Sequence, residues 1–294
     1  MIELPGLPPR PTDGHKGTFG SVCIIGGQRS EDGVVMVGAP ALTANAAMRS
    51  GCGKAILAMP QQVLQTGLSL SPTSTGIELP VDEIGRLIPS AAIEAIDSHA
   101  AGCRCLAIGP GFGSGWSQQQ LIATLIARGD RPIVLDADGL NALAFLESGQ
   151  LELQAPAILT PHIGEYQRLA KAMGIEVDTS NLSEAAIALA QAYGCVVVLK
   201  SHTTVVTDGV RITEIDGGGV ELATGGSGDV LSGIIVGLLA QYGVDCVSYL
   251  YDAAVVGVSI HAIIGSAFAL QHGTTGMLAT DLLERIPDAI ATMR

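Results

Sequence analysis

The stretch ATGGSGDVLSGIIVGLLA, residues 223–240, decides how this chain folds, because a glycine-rich loop in it runs directly into a long apolar segment. Small, flexible residues followed by an apolar run predict a tight loop that opens a buried helix. The first N–H groups of a helix have no partner within the helix, and they lie at the positive end of its dipole. Glycines let a phosphate approach that backbone closely. The stretch therefore predicts an anion-binding site at the start of a helix.

Asp229 follows the last glycine of this loop. Anion binding alone poorly explains a carboxylate placed where a phosphate should bind. The arrangement fits a general base that takes a proton from a hydroxyl, while the hydroxyl attacks a phosphoryl group held by Gly226, Ser227 and Gly228. A carboxylate that only caps the helix N-terminus is the other interpretation. The stretch by itself leaves both open.

Composition limits the classes of protein to which the chain can belong. Its 294 residues are 48% hydrophobic and 15% charged, with 38 glycines, which is typical of a globular α/β protein with a large core. We expect one domain over residues 1–294, although the length also permits two small ones. The net charge of −13 and the aromatic content of 3% oppose binding to nucleic acid, so no such partner is expected.

The cysteines and apolar segments indicate the cellular compartment in which the protein is expected. The six cysteines show no CxxC pair and no Cys/His ligand spacing, which predicts buried reduced thiols rather than zinc sites or disulfides. The N-terminal sequence has no apolar core for export. The apolar segment 253–270 lacks flanking basic or aromatic anchors, so we predict a buried helix and not a membrane span. A cytoplasmic protein without a membrane partner is expected.

Short apolar runs alternate with helix-length segments along most of the chain. This alternation predicts a doubly wound α/β fold, a mostly parallel central sheet with helices on both faces. Strands are predicted in the runs that start at residues 22, 54, 105, 132, 156 and 195, and helices at 39–50, 84–98, 117–127 and 184–193. Segments 203–207 and 211–215, separated by Asp208-Gly209, predict a hairpin at the sheet edge. After Gly228 the pattern is helical to the end.

Ligand-binding loops in such a sheet lie at the carboxyl ends of the strands. Here those ends are rich in glycine and polar residues, and five of them could meet at one rim: GG at 26–27, GPGFG at 109–113, DADG at 136–139, TPH at 160–162 and KS at 200–201. The GPGFG loop lacks the spacing of a dinucleotide-binding fingerprint, and no GxxxxGK[ST] sequence is present. A Rossmann dehydrogenase and a P-loop NTPase are therefore disfavoured.

Polar residues of this rim have both structural and functional interpretations. Asp136 and Asp138 could bind a metal or cap the next helix, and Asn141 could face the same cleft. His162 is either a satisfied structural residue or a ligand contact at a strand end.

A carboxylate and a cation complete the rim. Glu165, three residues after His162, could reach a hydrated Mg²⁺. Lys200 ends a buried strand and could hold a nucleotide phosphate as a point charge. Thr203 and Thr204 follow in the same loop, although β-propensity alone also explains these threonines.

Read in order, the motifs resemble the ADP-dependent NAD(P)H-hydrate dehydratases, a branch of the ribokinase-like superfamily. They run from residue 15 to residue 240 in the order of that family, and TPHxxE and the glycine-rich stretch are the most specific. The matching pieces are HKGTFGSVCIIGG, GAPALTANAAMRSGCGKA, IGPGFG, VLDADGLNAL, ILTPHIGEYQRL, VVLKSHTTVVTDG and ATGGSGDVLSGIIVGLLA. The match begins close to Met1, so no additional N-terminal epimerase domain is expected.

The resemblance implies a repair lyase that restores NADH and NADPH from their 6S hydrates, NADHX and NADPHX. ADP would be converted to AMP and phosphate, although some relatives use ATP, and Mg²⁺ would assist. Asp229 would deprotonate the 6-hydroxyl of the hydrated nicotinamide ring, and that hydroxyl would attack the terminal phosphoryl group of the nucleotide. The amides of residues 226–228 would stabilise the developing charge. Phosphate would then leave as the ring double bond forms.

The resemblance also assigns the remaining site residues. Glu165 would take the position that organises Mg²⁺. The hydrated dinucleotide would contact Ala39, Ala41, Gly111 and His162, and the adenine nucleotide would contact Lys200, Ser201, His202, Thr203, Thr204 and Gly228. Ser201 stands where the family often has glycine, and Ser227 where it frequently has threonine. A symmetric homo-oligomer, with a tetramer favoured, is expected.

Two other functions compete with this one. A small-molecule kinase of the same superfamily, acting on an alcohol such as a hydroxymethylpyrimidine or hydroxyethylthiazole, would use the same anion loop and base. A non-catalytic nucleotide-binding protein is the second, but it would gain little from a negative charge beside phosphate. The sequence leaves open the choice between ADP and ATP, and between NADHX and NADPHX.

Overall fold

The fold is described from a computed structural model in which residues 4–146, 153–176 and 178–294 are described. In chain order the strands are β1 Ser21–Ile25, β2 Gln28–Arg29, β3 Val35–Met36, β4 Lys54–Pro60, β5 Thr75–Leu79, β6 Cys105–Ile108, β7 Ile133–Leu135, β8 Ala157–Leu159, β9 Val196–Leu199, β10 Thr203–Thr207 and β11 Ile212–Asp216. The helices are α1 Gly38–Arg49, α2 Gln61–Leu70, α3 Pro89–His99, α4 Trp116–Ile126, α5 Asp138–Phe145, α6 Ile163–Ala172, α7 Leu182–Tyr193, α8 Ser227–Leu239, α9 Leu250–His272 and α10 Ala279–Thr292, with 3₁₀ segments at Val220–Leu222 and Ala240–Tyr249.

One sheet organises the described residues. Its nine strands follow the order β11-β10-β9-β8-β7-β6-β1-β4-β5, and β2 pairs with β3 in a separate small hairpin. Every neighbouring pair from β9 to β5 is parallel, whereas β10 is antiparallel to both of its neighbours. The predicted mostly parallel sheet is confirmed. The predicted hairpin also lies at a sheet edge, as β10 and β11.

Helices cover both faces of the sheet. In β1, Val22 and Ile24 belong to a hydrophobic cluster that includes residues of α1, α2, α8, α9 and α10, whereas Cys23 and Ile25 belong to a cluster with α3 to α7. All four side chains are fully buried. Strands buried on both faces explain the near-continuous apolar runs in the sequence, since neither face meets water.

The predicted helix at 84–98 begins later than expected, at Pro89. A proline disfavours the helical conformation of the residue before it and fits well in the first helical turn. The preceding segment instead forms a turn, in which the Asp82 carboxylate accepts hydrogen bonds from the N–H groups of Ile84 and Arg86. The apolar periodicity therefore predicted the helix but not its start.

Two apolar helices dominate the C-terminal third. α8 is buried along nearly its whole length and lies between α1 and α9. By length and composition alone, one span in the described part of the chain, Asp245–His272, could cross a membrane, but 72% of its most apolar window is buried inside the protein. α9 is thus the buried helix that the sequence predicts. All six cysteines are buried as well.

Candidate active site

The largest cavity described, of about 720 Å³, opens at the carboxyl ends of β7, β8 and β9. The start of α8 forms one wall, and α9 with the 3₁₀ segment Val220–Leu222 forms another. Residues predicted for the site from separate parts of the chain line this one cavity: His162, Glu165, Lys200, Ser201, His202, Thr204, Ser227, Gly228 and Asp229. Three strand ends and one helix start therefore converge, as the parallel sheet requires.

The glycine-rich loop ends where α8 begins, at Ser227. Gly226, directly before it, has a φ of +93°, a conformation that side chains other than glycine rarely adopt. The Ser227 N–H donates to the Thr224 carbonyl at 3.3 Å. Within the described residues the N–H groups of Gly226, Gly228 and Asp229 have no protein acceptor. Gly228 and Asp229 line the cavity, so their N–H groups are available to an anion there, whereas Gly226, predicted as part of the anion site, does not line it.

The Asp229 carboxylate lines the cavity and has no hydrogen-bond partner among the described residues. Burial raises the pKa of Asp229 to about 7, and the negative charge of Asp136 adds to that shift, whereas Lys200 opposes it. Its backbone is held from the other side, because the Thr43 hydroxyl donates to the Asp229 carbonyl at 3.0 Å. An unpaired carboxyl group that is half ionised near neutral pH is suited to accept a proton.

Asp136 is the centre of a buried network on the cavity floor. Its Oδ1 accepts from the Thr160 hydroxyl at 2.8 Å and from Lys200 Nζ at 3.0 Å, and its Oδ2 accepts from the Ser232 hydroxyl at 2.8 Å. Burial alone would lower the pKa of Lys200, but attraction to Asp136 and Glu165 outweighs it and raises that pKa. The network fixes a cationic ammonium group beside the first turn of α8.

Asp138 and Asn141 do not face this cavity. Asp138 Oδ2 accepts from the Gly113 N–H at 2.8 Å, and Asn141 Oδ1 accepts from Arg168 Nε at 2.9 Å. The first turn of α5 has no side-chain cap. Asp138 therefore ties the GPGFG loop to α5, and within the described residues no side chain caps that helix.

His162 and Glu165 form a capping box at the start of α6. His162 Nδ1 accepts from the Gly164 N–H at 2.9 Å, and Glu165 Oε2 accepts from the His162 N–H at 2.8 Å. Because Nδ1 is an acceptor, the neutral ring carries its proton on Nε2. Burial and the charge of Lys200 lower the pKa of His162. His162 is thus a structural cap whose neutral ring also borders the cavity.

The Glu165 carboxylate lies beside the cavity floor, with Oε2 4.0 Å from Lys200 Nζ. Burial raises the pKa of Glu165, although Lys200 opposes the shift. In the described ranges no group of three or more His, Cys, Asp or Glu side chains could hold a metal ion. The carboxylates of Glu165 and Asp136 nevertheless fit Mg²⁺, because this ion usually binds one or two carboxylates while water and substrate phosphates supply its other ligands.

The loop after β9 brings three of its predicted nucleotide contacts to the cavity. Ser201, His202 and Thr204 line it, and the Thr204 hydroxyl donates to the Ser201 carbonyl at 3.3 Å. Thr203 points elsewhere, because its hydroxyl donates to Asp216 at 2.6 Å across the β10–β11 hairpin. Successive side chains of a strand point to opposite faces of the sheet, so only Thr204 points toward the cavity.

The predicted dinucleotide contacts Ala39, Ala41 and Gly111 lie outside the large cavity. A Cβ atom on Gly111 would lie 3.5 Å from the Ala39 Cβ, so these two residues face each other. The Ala41 side chain is buried. The Thr43 hydroxyl also lies 3.1 Å from the Ala39 carbonyl, and it thereby connects this region to Asp229.

His261, which was not predicted from the sequence, lies on α9 and lines the cavity. Its Nε2 lies 3.0 Å from the Ser227 hydroxyl and 3.1 Å from the Ser227 carbonyl. Burial lowers the pKa of His261 to about 4, so the ring is neutral at physiological pH. A single polar ring inside an otherwise apolar helix was the signal in the sequence that could have drawn attention to it.

Comparisons with known proteins agree with this geometry. The sequence model described as NAD(P)H-hydrate dehydratase matches residues 22–288. The bifunctional NAD(P)H-hydrate repair enzymes Nnr of Salinibacter ruber and Vibrio cholerae are 34% and 36% identical, each over 97% of this chain. These matches cover 50% and 52% of the two relatives, so the chain spans about half their length.

Solved structures extend the comparison. The ADP/ATP-dependent NAD(P)H-hydrate dehydratase of Bacillus subtilis, co-crystallised with ATP/Mg²⁺, is 26% identical, with a TM-score of 0.76 over 98% of this chain and 95% of that one. The ribokinase of Thermotoga maritima shares the fold, with 12% identity and a TM-score of 0.57 over 93% of this chain and 99% of that one. These similarities confirm the predicted ribokinase-like fold.

Proposed function

From the premise that this chain belongs to the NAD(P)H-hydrate dehydratase family, we propose that it restores NADH and NADPH from their 6S hydrates, with an adenine nucleotide as phosphoryl donor. One observation carries the proposal. The Asp229 carboxylate and the Gly228 N–H, neither of which has a partner among the described residues, border the same cavity as the Lys200 ammonium group. ADP is the expected donor, with ATP as the alternative.

Asp229 begins the reaction as a general base. It accepts the proton of the 6-hydroxyl group on the hydrated nicotinamide ring, and the oxygen attacks the terminal phosphoryl group of the nucleotide. With ADP, this attack releases AMP. A pKa of about 7 leaves an appreciable fraction of Asp229 ionised near neutral pH while keeping it basic enough to take the proton.

Backbone and side-chain donors stabilise the negative charge that gathers on the transferred group. The N–H groups of Gly228 and Asp229 start α8 at its positive end, and Lys200 Nζ lies 3.3 Å from the position of a Cβ on Gly228. Glu165, with Asp136 behind it, would hold Mg²⁺ through water. Such an ion would neutralise phosphate charge.

Elimination completes the reaction. The carbon–oxygen bond of the phosphate ester breaks, inorganic phosphate leaves with the former hydroxyl oxygen, and the neighbouring ring carbon loses a proton as the double bond forms. Phosphate is a much better leaving group than hydroxide, which is the chemical purpose of the first step. The protein's role in this step is to hold the ring beside His162 and to limit access of water.

The test is to incubate the protein with hydrated NADPH and ADP, and in parallel with ATP. Reduced nicotinamide absorbance and inorganic phosphate should then appear in equal amounts. Asp229→Asn should lower turnover by about 10²–10⁴-fold while nucleotide binding is kept or improved, because a charge near phosphate is removed. Asp97→Asn is the matched control, since Asp97 lies at the exposed end of α3, pairs with Arg128 away from the cavity and should keep near-normal turnover.

Two outcomes would contradict the proposal. A stable phosphate ester without new nicotinamide absorbance would indicate a small-molecule kinase of the same fold. Near-normal turnover in Asp229→Asn would remove the assignment of Asp229 as the base. A homo-oligomer, a tetramer in particular, and a cytoplasmic location remain predictions.

A further inference from the structure

The proposed reaction leaves half of its dinucleotide substrate without a binding surface. The hydrated ring must reach Asp229, and the phosphoryl donor occupies the large cavity. The other end of the substrate, an adenosine that carries a 2′-phosphate in the NADPH form, must extend beyond Gly111 to another part of the protein. This inference rests on the proposed function and concerns only where that end is bound.

A second cavity lies in that direction. It has a volume of about 440 Å³ and is formed by β2, the end of β4, the turn before α3 and the first turn of α4. We call it the distal groove. The residues that line it and carry the argument are Gln28, Arg29, Glu31, Arg86, Trp116 and Gln118.

The distal groove begins where the GPGFG loop ends. The Gln118 amide donates to the Phe112 carbonyl at 3.2 Å. A Cβ atom on Gly113 would overlap the Gln28 amide, so that loop and groove are in direct contact. Gln28 pairs in turn with Met36, which also packs against Gly111. The distal groove is therefore adjacent to the loop that carries Gly111.

The distal groove is suited to an anion although the protein has a net charge of −13. Arg29 is exposed and has no hydrogen-bond or ion-pair partner among the described residues, whereas Arg86 pairs with Glu31. The first turns of α2 and α4 contain no acidic residue. The nearby acids Asp32 and Asp82 are turned to Ser30 and to backbone N–H groups. Of the three charged groups that line it, two are arginines.

An exposed aromatic ring completes the distal groove. Trp116 is the single tryptophan of the chain, and 68% of it is exposed at the start of α4. A single exposed aromatic ring is common on protein surfaces, but this one lines the same groove as Arg29. Adenine fits such a ring, since stacking on an aromatic side chain is favourable and needs no base-specific contacts.

We propose that the distal groove binds the adenosine end of the hydrated dinucleotide, with adenine against the Trp116 ring and the 2′-phosphate of the NADPH form on Arg29. Arg29 then favours the phosphorylated hydrate over the unphosphorylated one. Trp116 contributes equally to both.

Because Trp116 is the single tryptophan, the tryptophan fluorescence of the protein comes from the distal groove. The probe is 2′,5′-ADP, and 5′-AMP, which lacks the 2′-phosphate, is titrated in parallel for comparison. We expect a saturable fluorescence change, with a Kd about tenfold weaker in Arg29→Ala. Arg128→Ala is the matched control, because Arg128 follows the opposite end of α4 and pairs with Asp97. It should bind 2′,5′-ADP as the unmodified protein does.

Steady-state kinetics supply a second readout. Arg29→Ala should raise KM for hydrated NADPH about tenfold and leave KM for hydrated NADH, KM for the nucleotide and kcat nearly unchanged. Trp116→Ala should raise KM for both hydrates. Fluorescence that does not respond to 2′,5′-ADP, or responds equally in Arg29→Ala, would overturn the proposal. So would an unchanged KM for hydrated NADPH in Arg29→Ala.

The two proposals fail in different ways. If the protein does not dehydrate either hydrate but binds 2′,5′-ADP through Arg29, the proposed function is wrong, and the groove remains a site for a 2′-phosphorylated adenosine. If turnover is normal and insensitive to both groove substitutions, the groove assignment is wrong and the proposed function stands.

Discussion

The rim of the candidate active site, formed by the carboxyl ends of the strands, has two halves that differ in amino-acid composition. Around β7 to β9 the rim carries charged side chains: Asp136, Glu165, Lys200 and, from α8, Asp229. Around β1 and β6 it is mostly glycine, in the pairs and loops at 26–27 and 109–113. The difference follows from the proposed chemistry. Phosphoryl transfer needs fixed charges, whereas the proposed dinucleotide substrate needs close approach to the backbone.

The two halves meet at Gly109. Its φ is +124°, and a Cβ atom there would overlap the Asp136 carbonyl. Glycine is therefore required where the loop of one half passes against the strand end of the other. The Asp138 side chain strengthens the junction through its hydrogen bond to the Gly113 N–H. This contact positions the glycine-rich half of the rim against the charged half.

Among substitutions that leave Asp229 in place, the largest effect is expected at Lys200, in the charged half of the rim. Lys200→Met removes the cation that opposes the raised pKa of Asp229, and it leaves Asp136 without its ion-pair partner. We expect kcat/KM for the nucleotide to fall about 100-fold. The midpoint of the pH–rate profile should also move upward from about 7, since the base becomes harder to ionise. Lys171→Ala, on the exposed end of α6, should change neither quantity.

A smaller effect is expected from a substitution in the glycine-rich half of the rim. Gly111 has a φ of +58°, and a Cβ there would lie 3.0 Å from the Met36 Cβ and project toward Ala39. Gly111→Ala should therefore raise KM for the hydrate about tenfold, leave KM for the nucleotide unchanged and cost about 1–2 kcal/mol of stability. Gly102→Ala is the control, because a Cβ at that position meets nothing within 4 Å. Equal changes in both KM values would contradict the division of the rim.

The smallest effect is expected on the free energy of unfolding. The pKa of Asp229 is raised from 3.8 to about 7, so folding favours its neutral form, and ionisation destabilises the folded protein. Asp229→Asn should be more stable than the unmodified protein by on the order of 1–3 kcal/mol above pH 7. The advantage should shrink as pH falls from 7 toward 4 and vanish below 4. Denaturant unfolding at several pH values measures it, and an advantage that grows at low pH would contradict it.

Much of the fold could be predicted from the sequence. Apolar runs such as VCII at 22–25 gave the strands, and their lack of alternation predicted burial on both faces. The family was identified from motifs, and the family comparison confirms it. The start of α3 was predicted wrongly because apolar periodicity does not register the turn that Asp82 stabilises.

The candidate site was predictable to a lesser degree. Residues at strand ends were found because the carboxyl edge of a parallel sheet collects them. The contacts of Asp136 with Ser232 and of Ser227 with His261 were not found, since they join residues 96 and 34 positions apart. Thr203 and Thr204 looked equivalent in the sequence, but strand alternation turns only Thr204 toward the cavity.

The sequence by itself determined the elements, the family and the presence of a carboxylate directly after a glycine-rich helix start, because each depends on neighbouring residues. Tertiary structure alone decided that Asp229 is unpaired and carries a raised pKa, that Lys200 is held by Asp136, and that Trp116 and Arg29 share a groove. Those properties arise from burial and from charges brought together by the strand order. Burial and the distances between these charges depend on contacts between residues that are far apart in the sequence.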